Sequence, residues 1–133
     1  SSGVIATSSG AAIRYVVFSQ QITVEEDDVI HTMCEYEVTN NQGYNVMFAG
    51  YVIMATTAGG NTGVEISEAN GYNVSANMHH GIITELGSYV ATSSDVGTRY
   101  INVILYSAST ASSGSDTFVV EQDYGRLTVL QFR

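Results

Sequence analysis

Apolar and polar residues alternate along most of this chain with a period of two. The clearest case is Val29 to Thr39. Ile30, Thr32, Cys34, Tyr36 and Val38 share one parity, and His31, Met33, Glu35, Glu37 and Thr39 the other. Successive strand side chains point to opposite faces, so this pattern predicts a half-buried antiparallel strand with Glu35 and Glu37 in solvent. Asn40-Asn41-Gln42-Gly43 then supplies a turn. The run from Tyr44 to Thr56 is apolar at both parities. It reads as a long strand covered on both sides, with a neighbouring subunit as the second cover.

Further strands are predicted at Ala12–Ser19, Gln21–Val24, Gly63–Ser67, Tyr72–Asn77, Gly81–Leu86, Ser88–Thr92, Arg99–Ser107, Thr117–Glu121 and Arg126–Phe132. Breakers separate them at Ala58-Gly59-Gly60-Asn61, Asn70-Gly71, Ser93-Ser94-Asp95, Ser112-Ser113-Gly114-Ser115 and Asp123-Tyr124-Gly125. Asn70-Gly71 is the strongest two-residue hairpin signal. In the last strand Leu127 and Val129 fall on one face and Thr128, Leu130 and Phe132 on the other. Apolar residues at both parities predict a central strand covered on both faces, with Gly125 turning it back from Phe118–Glu121. Helical spacing is hard to find anywhere. About eight to ten strands at this spacing mean an all-β sandwich or barrel. Residues 1–133 fit one domain, with 1–11 a linker or an edge strand.

Composition agrees with a pleated fold. There are nine Tyr and no Pro or Trp, and Val, Ile and Thr are abundant. No apolar run reaches the roughly 18 residues a membrane-spanning helix needs. The first residues, Ser1-Ser2-Gly3-Val4, do not read as a secretory signal. Thirteen acids against four Arg, with no Lys, give a net charge of −9. Nucleic-acid binding needs a cationic footprint, so neither nucleic acid nor an anionic membrane surface is an expected partner.

Chemistry is sparse. Cys34 is the single cysteine, so no intrachain disulfide forms. His31 lies three residues away, on the opposite face of a strand, which rules out a Cys–His dyad. Without Lys, Schiff-base and P-loop chemistry are excluded, and no hydrolase motif is present. No catalytic residue and no cofactor are assigned. Glu25-Glu26-Asp27-Asp28 lacks the Gly-spaced pattern of a calcium loop and reads as a solvated turn. Neighbouring strand residues diverge, so His79 and His80 make a poor chelate within one chain, although a threefold axis could gather one His from each of three chains. A polar loop or surface patch accounts for them, and no metal is assigned. Tyr72, Tyr89 and Tyr124 are the candidate binding residues, because rings with a polar tip suit sugar stacking or protein interfaces.

Two stretches carry a resemblance. Val24-Glu25-Glu26-Asp27-Asp28-Val29-Ile30 leads into a strand as the pre-strand turn does in tumour-necrosis-factor-like jelly rolls. Ser113 to Glu121, followed by Gly125-Arg126-Leu127-Thr128-Val129-Leu130, resembles the last two strands of those domains, a hairpin that closes the sandwich. The pattern is similar to that of phage tail-fibre heads and virion decoration proteins. The aromatic Gly-x-Tyr-x-Phe signature of complement-type heads is missing. The resemblance implies an all-β antiparallel β-sandwich of jelly-roll type, assembled as a homotrimer that binds at a distal surface or between subunits. The expected role is a non-enzymatic structural or receptor-binding subunit of a virus particle or tail fibre, located in a virion or outside cells. Its partners would be copies of itself, and a cell-surface glycan or another virion protein. The alternatives are an extracellular fibre subunit assembling by strand donation and a carbohydrate-binding module.

If Glu25 to Asp28 form a turn without essential metal, calcium titration leaves the melting temperature nearly unchanged. A large rise would show a native-state calcium site instead.

Overall fold

The computed structural model describes residues 2–6, 14–107 and 117–133. The strands are β1 (Ser2–Ala6), β2 (Arg14–Val24), β3 (Val29–Thr39), β4 (Val46–Ala55), β5 (Val64–Val74), β6 (Gly81–Val90), β7 (Gly97–Ser107) and β8 (Thr117–Phe132). A short 3-10 turn at Ser93–Asp95 precedes β7. The strands form two four-stranded sheets ordered β1-β8-β3-β6 and β2-β7-β4-β5, with antiparallel pairing throughout. Apart from β4 and β5, each consecutive pair of strands crosses from one sheet to the other, and that connectivity is the jelly roll.

Alternation sets the packing. Ile30, Thr32, Cys34, Tyr36 and Val38 are all buried, as their shared parity predicts. They meet Val46, Phe48, Val52 and Met54 of β4 and Ile101, Val103 and Leu105 of β7 in one core. Phe48 and Phe118 cross edge to face at 5.0 Å between ring centroids, tying the sheets together. Ser2–Ala6, as β1, pair along Thr117–Glu121 at the edge of their sheet, and the rest of 1–11 lies outside the described residues.

Several predicted breaks lie inside continuous strands. Asn70-Gly71 makes no hairpin, because both of its flanks pair with β4 within one β5. The register slips twice along that pair, so the polar dipeptide lies on a bulged strand and reverses nothing. Gln20 likewise lies within β2, whose bulge falls at Val17. Gly87 lies within β6. Asp123-Tyr124-Gly125 is not a turn either. β8 is a single strand of 16 residues, and both of its halves pair with β3. Glu35 faces Arg126 and Glu37 faces Glu121, so two steps on β3 answer five on β8. The surplus leaves the ladder as a bulge. At its foot a Cβ on Gly125 would lie 2.3 Å from the Glu35 carbonyl oxygen and 2.8 Å from Tyr36 Cα, so only glycine fits. The closing hairpin implied by the resemblance is therefore replaced by one long bulged strand. Ser113 to Asp116, which carried part of that resemblance, lie outside the described residues.

The two outer faces differ. Much of the second cover of β4 comes from this chain itself, although Met47 stays exposed. Ile53, Ala55 and Ile104 form a small buried cluster with Val16 and Tyr51 beside them. The β4–β5 connection lies across that sheet, held by Asn102, whose amide donates to the Thr57 and Gly60 carbonyls at 3.2 and 2.8 Å. Ser19 Oγ donates to Asn102 Oδ1 at 2.6 Å. Arg14 lies over the Tyr106 ring at 4.8 Å, and Tyr106 meets Tyr51 edge to face at 6.0 Å. On the other sheet, Leu127 and Val129 pack on the core, but Leu130 and Phe132 are 43% and 53% exposed. The expectation of a β8 covered on both faces fails there.

The contrast has a measurable consequence. Leu105→Ala empties core volume and should cost about 2–5 kcal/mol in urea unfolding. Leu130→Ala should cost under about 1 kcal/mol. Equal costs would show that the outer face of β8 is covered after all.

Candidate functional site

Three groups of side chains stand out from the sandwich, and two of them lie on the outer face of the β1-β8-β3-β6 sheet. The first of these two follows from register. Phe132, Val29 and Val90 lie in one cross-strand row, Leu130, His31 and Ser88 in the next, and Thr128, Met33 and Leu86 in the third. Met33, Leu86, Val90, Leu130 and Phe132 are all exposed, Leu86 to 74%. His31 meets Phe132 edge to face at 5.8 Å. Arg126 and Glu35 border the face in the following row, and a shallow depression is lined by Met33, Cys34, Glu35, Thr84, Leu86, Arg126 and Thr128. The opposite sheet, by contrast, has the β4–β5 loop tied down on it through Asn102. The composition of β3, β6 and β8 already carried this signal, since their outward parity is only partly polar.

The second group lies at the far end of the same face. Glu37 and Glu121 are direct cross-strand partners, and like charges so placed repel. His80 lies between them. Its Nδ1 is 2.6 Å from Glu37 Oε2 and also touches Glu121 Oε2. The sequence places His79 and His80 on neighbouring, divergent positions. They lie instead in the turn before β6, where His80 has φ of 60°, and their ring centroids are 3.8 Å apart. The left-handed backbone at His80 cancels the divergence that a strand would impose. Thr39 Oγ1 contacts His79 Nδ1 at 3.1 Å and accepts the His80 backbone N–H at 3.3 Å. The β8 bulge delivers Tyr124, whose ring meets His80 edge to face at 5.3 Å.

The third group is interior. Glu85 is buried on β6 and reaches between the sheets. Its Oε1 accepts from Tyr72 Oη at 3.0 Å, and its Oε2 accepts from Ser67 Oγ at 3.3 Å. The Tyr72 hydroxyl also touches the Thr84 carbonyl. A Cβ on Gly50 would lie 2.6 Å from Glu85 Oε1, so this glycine makes room for the carboxyl. Burial pushes the Glu85 carboxyl up to about 7, against the hydrogen bonds that favour its anion. Cys34, which faces the same interior, has its thiol pushed up to about 12, chiefly by burial. It is therefore no nucleophile at neutral pH, and His31 is on the other face as the parity argument required.

The three tyrosines singled out from the sequence do not converge. The Tyr72 hydroxyl is engaged by Glu85, and the Tyr89 hydroxyl donates to Asp95 Oδ2 at 2.7 Å. Burial pushes the Asp95 carboxyl up, but the Thr92 backbone N–H and the Tyr89 and Thr92 hydroxyls hold it below its ordinary value. Both rings pack against the core. Tyr124 is the exposed one, at 64%. The acidic run is a turn as expected at Glu25, Glu26 and Asp27, which are exposed, but Asp28 is buried. Asp28 Oδ2 accepts the Glu25 N–H at 2.8 Å and Gln131 Nε2 at 2.7 Å, and Arg133 lies 3.5 Å from Oδ1. The Glu25 N–H does most to hold its carboxyl below the ordinary range. Asp28 thus caps the turn and anchors the end of β8.

No family model matches the chain, and no curated relative matches it. Among solved structures, a chain in the structure of infectious bursal disease virus, Gx strain, superposes with a TM-score of 0.57 at 11% identity. That match covers 97% of this chain and 30% of the viral chain. A sugar-binding protein, the EclA C-terminal domain, superposes with a TM-score of 0.48 at 14% identity, covering 98% of this chain and 79% of that one. At such identity the viral match speaks for a shared fold alone. No helix among the described residues is long and apolar enough to cross a membrane.

Glu85 gives a pH dependence with a definite sign. Its folded-state pKa lies above its ordinary value of 4.5, so the folded chain holds the proton more tightly than the unfolded chain between there and about 7. The melting temperature should rise as pH falls through that window, and Glu85→Gln should flatten the rise and raise stability above pH 7. An unchanged profile in the variant would remove Glu85 as the cause.

Proposed function

We propose that this protein is a non-enzymatic structural subunit, of a virus particle or an extracellular assembly, that packs against copies of itself through the outer face of the β1-β8-β3-β6 sheet. One observation carries the reading: Met33, Leu86, Val90, Leu130 and Phe132 stand exposed in adjacent cross-strand rows on this face. An exposed apolar face of this kind marks an interaction surface more often than a solvated one. A copy of the chain is the occupant that fits. At a net charge of −9 the rest of the surface repels other copies, so the apolar face is where they can meet. Along its border Glu35 and Arg126 are cross-strand neighbours of opposite charge, which a symmetric partner could exchange. A homotrimer, in a tail fibre or on a virion surface, is the assembly we favour. The viral match is compatible with this reading through its fold.

Strand donation is the second reading, favoured by one feature. β1 pairs only with Thr117–Glu121, and among the described residues Arg126–Phe132 has β3 alone as a strand partner. That edge can accept an extended segment from another chain. A glycan-binding role has less support, since two of the three candidate tyrosines spend their hydroxyls on acids of this chain.

Sedimentation of the wild-type chain and of Leu86→Glu separates these readings. Leu86 is so exposed that the charge should leave the monomer's unfolding free energy within about 1 kcal/mol of wild type. Face packing predicts an oligomer for the wild type and a folded monomer for the variant. A wild type that stays monomeric at high concentration overturns the proposal, and an oligomer that survives in the variant points to the β8 edge.

A further inference from the structure

We propose that His79, His80 and Glu121, with Glu37 beside them, form a binding site for a divalent metal of the zinc class. Among the described residues this is the group of His, Cys, Asp and Glu side chains whose ligand atoms gather, one from each of His79, His80 and Glu121 lying within 4.8 Å of one another. A tetrahedral ion with bonds of about 2.0–2.2 Å holds its ligands roughly 3.3 Å apart, a spacing that small side-chain rotations of His79 and Glu121 can reach. Two imidazoles with carboxylate oxygen are the donors that zinc accepts, and they suit it better than calcium or magnesium, which take oxygen alone.

Proton accounting supports a cation. His80 Nδ1 carries at most one hydrogen, yet two carboxylate oxygens converge on it, one from Glu37 and one from Glu121. Nδ1 of His80 and Oε2 of Glu121 are both buried and touching, and neither makes a hydrogen bond of acceptable geometry. Buried polar atoms left this way are costly, and a cation on the Nδ1 and the two carboxylates would satisfy them together. It would also relieve the repulsion built into the Glu37–Glu121 pair. Thr39 supplies the outer support such sites use, contacting the ring of one histidine and the backbone of the other. The backbone cooperates too: the positive φ at His80 turns two neighbouring imidazoles toward one region.

The site would join β3, β8 and the turn before β6, so metal binding should stabilise the fold as well as produce heat. The experiment is zinc titration of the tag-free, chelator-treated chain, by calorimetry and thermal melting. We expect one zinc per chain and a melting temperature raised on the order of 5 °C or more once zinc exceeds the dissociation constant about a hundredfold. Calcium should do nothing comparable. His80→Asn, which keeps a residue that tolerates the left-handed backbone, and Glu121→Gln should each weaken zinc at least about tenfold. His79→Gln, at an exposed position, keeps the test decisive if either of those fails to fold. His31→Gln, on another part of the face, should bind like wild type. Absence of zinc heat and of any melting shift overturns the proposal, and so does wild-type affinity in His79→Gln.

Discussion

The pairing of β3 with β8 is the constraint on which the rest of this structure depends. β3 is the interior strand whose inner face supplies Ile30, Cys34, Tyr36 and Val38 to the core, and it is paired with β6 on one side and β8 on the other. Tyr36 is fully buried, and β8 must pass it at backbone contact distance. It does so at Gly125, and the residues that cannot follow the ladder leave it as a bulge. The bulge brings Tyr124 to His80, and the register beyond it sets Glu121 opposite Glu37. The same strand, resumed at Arg126, lays Leu130 and Phe132 beside His31 and Val29. The candidate cation cluster and the apolar face are thus two ends of one ladder.

The two sheets solve the problem of their outer faces in different ways. The sheet containing β4 has apolar residues at both parities, buries Ile53, Ala55 and Ile104 among them, and holds the β4–β5 loop through Asn102. Asn102 is fully buried, and its amide and carbonyl are both used, so the loop is built into the sheet. The sheet containing β3 has no such loop among the described residues. Its apolar face is exposed, and the interior carboxyl of Glu85 behind it is pushed up by burial, which would make the sandwich sensitive to pH. Assembly and pH response would therefore act on the same sheet.

Much of the fold was legible in the sequence because one face of every sheet has to be buried. The parity of β3 predicts its buried face, although Glu37, expected in solvent, is only partly exposed beside His80, and the β-rich composition with period-two alternation leads to a sandwich or barrel. The breaks were less legible. Asn70-Gly71 and Asp123-Tyr124-Gly125 have the chemistry of turns, but a turn also requires the flanking strands to pair with each other. Here each flank pairs with a third strand, and the same residues serve a bulge or a close backbone approach. The candidate site was hidden for a related reason. His79 and His80 diverge on a strand and converge in a turn with positive φ, and Glu37 and Glu121 meet only through a register set far along the chain. A run of apolar residues at both parities does not reveal whether a loop or another subunit covers it, which is why Tyr44 to Thr56 suggested an interface that the chain supplies for itself.

The continuity of β8 along β3 can be tested directly by nuclear Overhauser contacts between backbone protons in solution. The account predicts cross-strand contacts of Cys34 with Leu127 and of Val38 with Val120 in the same spectrum, with none joining Phe118–Glu121 to Arg126–Val129. Contacts between those two halves of β8 would show a hairpin closing at Asp123-Tyr124-Gly125, and would contradict both the bulge and the site it builds.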